Sequence, residues 1–236
     1  MGQVMFVEVL EQPGDRMVSL AEMKAHLRVD HTDDDSLIEV YTIAAEQRVD
    51  GPFGITGRAF RPQRLRASFG SFGAKICLPF PPLISVDSIA YLDTNGAEQT
   101  FAEAGNWRVI GAGTERGGEI VPLYGVAWPS LLATSDADLV RVTFTAGYYS
   151  AASPENDRVP EIVKACVKLI VADWYEFRPS SVIGANAAPT PHGAEMIIAP
   201  FRVAGAYIAL DDTGGGYGSG QVNIDSNAGW GCGSGC

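Results

Sequence analysis

A long β-rich block in the middle of the chain, residues 57–146, most constrains the fold. Runs of β-branched and aromatic residues recur there at 63–69, 76–78, 85–92, 99–101, 107–110 and 139–145. Turn residues separate them, most clearly Asp93-Thr94-Asn95-Gly96, in which Asn-Gly supplies the positive φ angles that a tight hairpin needs. The block therefore predicts an antiparallel β-rich lobe, and an apolar run at 4–10 predicts one more short strand.

Helix signals flank this block on both sides. Ser19-Leu20-Ala21-Glu22 is a capping box, Asp33-Asp34-Asp35-Ser36 places negative charge at the start of a second helix, and Pro160 suits the first position of a third. We expect helices over about 19–29, 35–50 and 160–177. The sequence thus predicts an α+β protein in which a small bundle of three main helices accompanies the β-rich lobe.

The composition changes near residue 180. Residues 181–236 are dominated by Gly, Pro, Ala and Ser, with apolar islands at 196–203 and 206–210. Such a segment offers too little apolar surface to fold alone. We expect a core over 1–180 and an extended C-terminal arm over 181–236 that a binding partner orders.

Net charge limits the classes of partner. The chain carries a formal charge of -11 and a pI near 4.6, which disfavours a protein that binds nucleic acid by neutralising phosphates. The charge is divided into blocks of -7 over 1–50, +5 over 51–80 and -9 over 81–236. Alternating acidic and basic surfaces could align the subunits of a self-assembling ring, whereas chance clustering on a solvated surface is the alternative. No apolar run reaches the roughly 18 residues of a membrane span, so we expect no membrane partner.

The candidate catalytic and metal-binding motifs each lack residues that their chemistry requires. His31 lies beside several aspartates, but an EF-hand loop starting at Asp30 would place Asp35 where glycine is required and Tyr41 where the bidentate glutamate belongs. The glycine-rich run 214–220 lacks the Lys-Ser or Lys-Thr of a phosphate loop. We therefore predict no catalytic residue, no cofactor and no metal site.

Several phrases of the sequence resemble the head-tail connector (adaptor) proteins of long-tailed phages and gene transfer agents. They cover roughly residues 15–203 and are specific in combination. The phrases are Val18 to Asp30, Asp33 to Ile38, Ala44-Ala45, Thr56-Gly57-Arg58, Pro62-Gln63, Leu78 to Leu83, Val86 to Ile89, Tyr124-Gly125, Trp128-Pro129, Val140 to Tyr148, Val159 to Ile162, Trp174 to Glu176 and Ile198-Ala199-Pro200-Phe201-Arg202.

The resemblance implies a structural, non-catalytic role. Family members assemble as a ring under the portal, and twelve subunits are expected here. The implied partners are further copies of the chain, the portal protein and a stopper or tail-terminator protein, while DNA passes through without sequence-specific binding. The implied location is the neck of the virion, after assembly in the host cytoplasm.

Two sets of residues are candidates for these contacts. The apolar island in the arm suggests a portal-binding surface, consisting of Met196, Ile197, Ile198, Pro200, Phe201 and Arg202. The acid-free block contributes four arginines, Arg58, Arg61, Arg64 and Arg66. Nearby phenylalanines would also suit a nucleic-acid surface, but DNA must pass a neck without sticking, so we interpret the arginines as salt-bridge donors to a neighbouring subunit or the portal.

Two other classes of function stay open. A neck stopper or tail-completion protein of the same particle would bind tail components in place of the portal. A hydrolase would need a cluster of titratable groups in a pocket, and only His26, His31 and His192 supply imidazole.

Overall fold

The computed structural model describes residues 4–134, 138–148, 159–177 and 192–203. In chain order the elements are β1 (Val4–Glu11), α1 (Leu20–Leu27), α2 (Asp35–Val49), β2 (Gln63–Phe69), β3 (Ile76–Cys77), β4 (Leu83–Leu92), β5 (Glu98–Thr100), β6 (Trp107–Ile110), β7 (Glu119–Pro122), β8 (Val140–Ala146), α3 (Glu161–Glu176) and α4 (His192–Ile198), then a 3-10 turn (Ala199–Phe201). Helices and antiparallel sheets are both present, which confirms the predicted α+β class.

Antiparallel pairing organises the β lobe into two sheets. A five-stranded sheet has the order β1-β2-β8-β4-β5, and a three-stranded sheet has the order β3-β7-β6. Strand β2 alternates as its sequence predicts: Leu65 and Phe69 are fully buried, while Arg64 and Arg66 lie on the opposite face. The buried face packs into a core with Phe144 of β8.

The hairpin between β4 and β5 forms at the predicted Asn-Gly, but only Gly96, and not Asn95, has the predicted positive φ angle. The Asp93 carboxylate accepts hydrogen bonds from the backbone N–H groups of Asn95 at 2.8 Å and Ala97 at 3.0 Å, and Gly96 has a φ of 79°. The bonds from Ala97 and Asn95 lower the pKa of Asp93. Local side-chain chemistry thus fixes this turn.

The helical lobe begins at the predicted capping box. The backbone N–H of Glu22 donates to Ser19 Oγ at 3.3 Å, and the backbone N–H of Ser19 donates to Glu22 Oε2 at 3.1 Å. The pair starts α1, which ends at a left-handed Arg28 with φ 58°. Met23 of α1 is fully buried against α2 and α3, in the same core as Ile38 and Ile170.

The acidic turn before α2 ties three helices together. Lys24 of α1 forms a 2.5 Å ion pair with Asp35, and the Tyr175 hydroxyl of α3 donates to Asp34 Oδ2 at 2.6 Å. Asp34 occupies the N-cap position, but its side chain makes no capping hydrogen bond. The predicted negative charge thus lies at the start of α2, and it also makes contacts with the two neighbouring helices.

The predicted extended arm is wrong for residues 192–203. They form α4 and the 3-10 turn, with Ala194 and Ile198 completely buried and the Cys166 thiol of α3 donating to the Ala194 carbonyl at 3.5 Å. A fourth helix joins the three predicted ones, and the core does not end at residue 180. A helix this short gains its stability from packing its apolar face on the bundle. The rest of the predicted arm, 181–191 and 204–236, lies outside the described residues.

A matched pair of substitutions on α4 tests this correction. Ile198→Ala should lower the free energy of unfolding by about 2–5 kcal/mol, because it leaves a cavity in the helical core. Met196→Ala, on the same helix, should change it by no more than about 0.5 kcal/mol, because Met196 is 77% exposed. Urea denaturation measures both values, and equal effects would contradict the packed position of α4.

Candidate assembly surfaces

Three contacts attach the end of the described chain to the seam between the lobes. Arg58 Nε donates to the Phe201 carbonyl at 2.6 Å, and the Val203 N–H donates to the Thr56 carbonyl at 2.9 Å. The Phe201 ring lies edge-on to Phe60, with centroids 6.1 Å apart. The predicted portal-binding segment is thus held against its own subunit.

The six predicted portal-binding residues divide by exposure. Ile198 is fully buried, and Ile197 and Phe201 are partly buried. Three remain exposed: Met196, Pro200 and Arg202. We call these three the exposed row of the segment, because the other three members of the set are partly or fully buried.

Two of the four predicted inter-subunit arginines are used inside the subunit. Arg58 Nη1 contacts Glu115 Oε2 at 2.7 Å, and Arg61 bonds Glu46 and Asp50 at 2.8 Å each. Both guanidinium groups are buried and already paired. A salt bridge from Arg58 or Arg61 to another chain would compete with these internal pairs, and it stays a prediction.

The other two arginines lie on the outer face of the five-stranded sheet. Arg64 contacts Asp87 at 2.7 Å and Glu11 at 3.2 Å, and Arg66 contacts Glu8 at 3.3 Å. These cross-strand pairs join β1, β2 and β4. Both side chains are about 40% exposed, so a role toward a neighbouring subunit stays a prediction for them.

Glu46, Asp50 and Arg61 form a buried ionic cluster. Glu46 Oε1 accepts from the backbone N–H groups of Met17 at 2.7 Å and Val18 at 3.2 Å, while Arg61 bonds both carboxylates. Burial raises the pKa of both acids, and the Arg61 charge offsets part of that rise.

The ionic cluster was not predicted, but helical spacing in the sequence of α2 carries a signal for it. Ile38, Thr42, Glu46 and Val49 follow helical spacing and fall on one face of α2, which the structure buries. An acid on an apolar helix face requires a cationic partner, and the adjacent acid-free block supplies one. The pattern does not indicate that the partner of Glu46 is Arg61, which lies 15 residues further along the chain.

Groups suited to catalysis are dispersed. His26 and His31 are both exposed on the helical lobe, and burial raises the pKa of the Cys166 thiol to about 11. Within the described ranges, no three His, Cys, Asp or Glu side chains are grouped to hold a metal ion. No helix in the described part of the chain is long and apolar enough to cross a bilayer.

Residues 17–101 match the model of the phage gp6-like head-tail connector protein family. This segment is similar to that family, and we call it the connector domain for that reason. The predicted resemblance is confirmed, and the connector domain includes α1, α2 and strands β2 to β5, together with the ionic cluster. Comparison with curated proteins gives no match.

The fold is similar to chains from gene transfer agent (GTA) particles. One belongs to the virion of a native GTA particle (TM-score 0.62, 23% identity). A second belongs to the neck of an empty GTA particle computed with C6 symmetry (0.60, 23%), and a third to the neck of a native GTA particle computed with C12 symmetry (0.55, 24%). Each match covers 84% of this chain and 95% of the other chain. The shared fold therefore extends beyond the connector domain.

Removing the cation from the ionic cluster should destabilise the connector domain in a pH-dependent way. Arg61→Met removes the cation bonded to Asp50 and leaves Glu46 with the more distant Arg16, at 3.9 Å, which should cost about 3–5 kcal/mol of unfolding free energy at pH 7. The penalty is absent below the ordinary pKa values, 3.8 for Asp and 4.5 for Glu, grows as pH rises from these values towards the raised values of the folded state, and is complete above them. The variant should thus regain stability as the pH falls from the raised values towards the ordinary ones.

Urea denaturation across this pH range measures the effect. Arg64→Met is the matched control, because it removes an arginine from half-exposed ion pairs and should cost no more than about 1 kcal/mol. Equal losses for the two variants at pH 7, or an Arg61→Met variant that weakens on mild acidification, would contradict the buried cluster.

Proposed function

We propose that this chain is a structural head-tail connector subunit in the neck of a tailed phage or gene-transfer particle, between the portal and the tail. The observation that carries the proposal is the connector-domain match over residues 17–101, which includes elements of both lobes. The similar GTA chains, two of them described as belonging to a neck, support it. The role depends on contact surfaces and requires no catalysis.

In this proposal the subunits form a closed ring of twelve. Necks computed with C6 and C12 symmetry among the similar structures support a ring. A ring is built from heterologous contacts, in which two different surfaces of each subunit meet. The unequal distribution of charge, -7, +5 and -9 along the chain, fits neighbours that present opposite charges to each other.

The portal is the proposed partner on one side, and a stopper or tail-terminator protein on the other. Met196, Pro200 and Arg202 are the part of the predicted portal-binding set that a partner can reach without unfolding α4. Assembly would occur in the host cytoplasm. DNA passes through the ring, and a subunit with a net charge of -11 fits a channel that does not retain phosphates.

A charge placed at Met196, the exposed residue of the set that lies on α4, tests the portal contact. Met196→Glu should weaken association with purified portal roughly tenfold or more, because an apolar side chain that is buried in the complex would be replaced by a carboxylate. Ile110→Glu is the control: Ile110 is also an exposed apolar residue, at 43%, but lies on β6. Co-sedimentation with portal measures both.

Three results of this binding experiment have different meanings. Loss for Met196→Glu alone supports the proposed surface. Portal binding by the unmodified chain with equal affinity for both variants places the contact elsewhere. Binding to tail components but not to portal would indicate the alternative role of a stopper or tail-completion protein.

A further inference from the structure

Two exposed arginines lie close together at the seam between the lobes. Arg58 fixes their positions, because its Nη1 donates to the Glu115 carbonyl at 3.1 Å and its Nε donates to the Phe201 carbonyl at 2.6 Å. Arg116 and Arg202 are the residues that follow Glu115 and Phe201 in the chain. Both are exposed, and neither forms an ion pair within the described ranges. We call these two residues the basic patch.

The basic patch keeps its positive charge because the adjacent acid is already neutralised. Glu115 pairs with Arg58 at 2.7 Å, and its Oε2 also accepts a hydrogen bond from the Tyr148 hydroxyl at 2.7 Å. By contrast, Arg64 and Arg66 on the five-stranded sheet each face an acid of the same subunit. The basic patch is therefore an unneutralised cationic surface on a chain whose net charge is -11. It suits a partner surface that presents carboxylates.

Carboxylates without a cation lie at the start of α2. The Tyr175 hydroxyl donates to Asp34, so the last turn of α3 lies beside the turn that precedes α2. Arg28, at the end of α1, can offset at most one charge there. These two segments carry four acids that form no ion pair in the part of the chain that the structure describes, and we call them the acidic end: Asp30, Asp33, Asp173 and Glu176.

Helix α2 separates the basic patch from the acidic end. The Gly51 N–H, two residues after α2, donates to the Arg58 carbonyl at 2.7 Å, whereas Asp34 is the N-cap residue of the same helix. With 15 residues at a rise of 1.5 Å each, α2 is about 22 Å long. One subunit therefore cannot pair these two surfaces with each other, but a second copy can bring its acidic end to the basic patch of the first. A closed ring of heterologous contacts requires two such different surfaces on each subunit.

We propose that the basic patch of one subunit binds the acidic end of the next subunit in the ring. The inference rests on the proposed function, since it needs a ring, and it assigns the charged contact between neighbours to Arg116 and Arg202. Met196 and Pro200 stay the exposed apolar contacts for the portal. Complementary charges of this kind suppress wrong orientations and fix the register in which neighbours meet.

Charge reversal on each surface tests the pairing in the full-length chain. The patch variant carries Arg116→Glu and Arg202→Glu, and the end variant carries Asp30→Lys and Glu176→Lys. Each variant alone should raise the subunit concentration for half-maximal ring formation about tenfold or more, because like charges then meet at every contact. All four residues are exposed, so both variants should fold normally, which thermal unfolding verifies.

An equimolar mixture of the two variants is the decisive measurement. In an alternating ring, the new glutamates of the patch variant meet the new lysines of the end variant, and at the next contact the native arginines meet the native acids. A ring of twelve can alternate in this way because its number of subunits is even. The mixture should therefore form rings at close to the concentration that the unmodified chain requires, measured by sedimentation velocity.

Arg108→Glu is the control for Arg116→Glu as a single substitution. Arg108 is also exposed and forms no ion pair among the described residues, but it lies on β6. Arg108→Glu should leave the concentration for ring formation unchanged within about twofold, because the same change of charge then falls outside the contact.

The outcomes distinguish this contact from the proposed function. Chain that does not form rings by itself is assembled on purified portal, and the copies bound per portal are counted. Variants that assemble as the unmodified chain does, or a mixture that fails where each variant fails, overturn the inference and leave the connector role intact. Loss of portal binding by a patch variant that still forms normal rings does the same, because the basic patch then contacts the portal. Chain that neither forms rings nor joins particle necks under any condition overturns both the inference and the proposed function.

Discussion

The guanidinium group of Arg61 binds together segments that no secondary-structure element connects. It donates to the carboxylates of Asp50 and Glu46 and to the carbonyl of Asp15. Those carboxylates in turn accept backbone N–H groups of Met17, Val18 and Phe60. The linker before α1, the end of α2 and the approach to β2 are all fixed by one cation. The placement of the helical lobe on the β lobe depends on this cluster, because burying charge is tolerated only when every partner is in position.

Much of the fold could be predicted from local chemistry, and what was missed depends on distant contacts. The capping box of α1 appears as its residues predict, and the hairpin forms at the predicted Asn-Gly with the positive φ at Gly96 alone, since each is determined within a few positions. Strand β7 was missed because it is four residues long and is defined by its pairing with β3 and β6. Helix α4 was missed because it has only seven residues, of which the apolar island at 196–203 supplies the last three, and so short a segment carries no local helix signal.

For the candidate contact residues, too, local patterns were informative and contacts with distant residues were not predicted. Alternation along β2 puts Arg64 and Arg66 on one face, because the period of a strand is local. It gave no means of separating them from Arg58 and Arg61, whose burial depends on acids elsewhere in the chain. Sequence patterns thus identified charged and apolar surfaces as classes, while the tertiary fold decided which of their members face outward. The large apolar residues left exposed lie on several elements, which suits the proposed role of a subunit with several neighbours.

Strand β1 forms one end of the five-stranded sheet, and its acids Glu8 and Glu11 face the arginines of β2. A slip of one position would turn these acids toward the core and Val7 and Val9 toward water, so the ion pairs lock the alignment of a strand that has a neighbour on one side only. Charges on an end strand also discourage two sheets from joining edge to edge. The same feature that aligns β1 therefore protects crowded copies of the chain from fibrous aggregation.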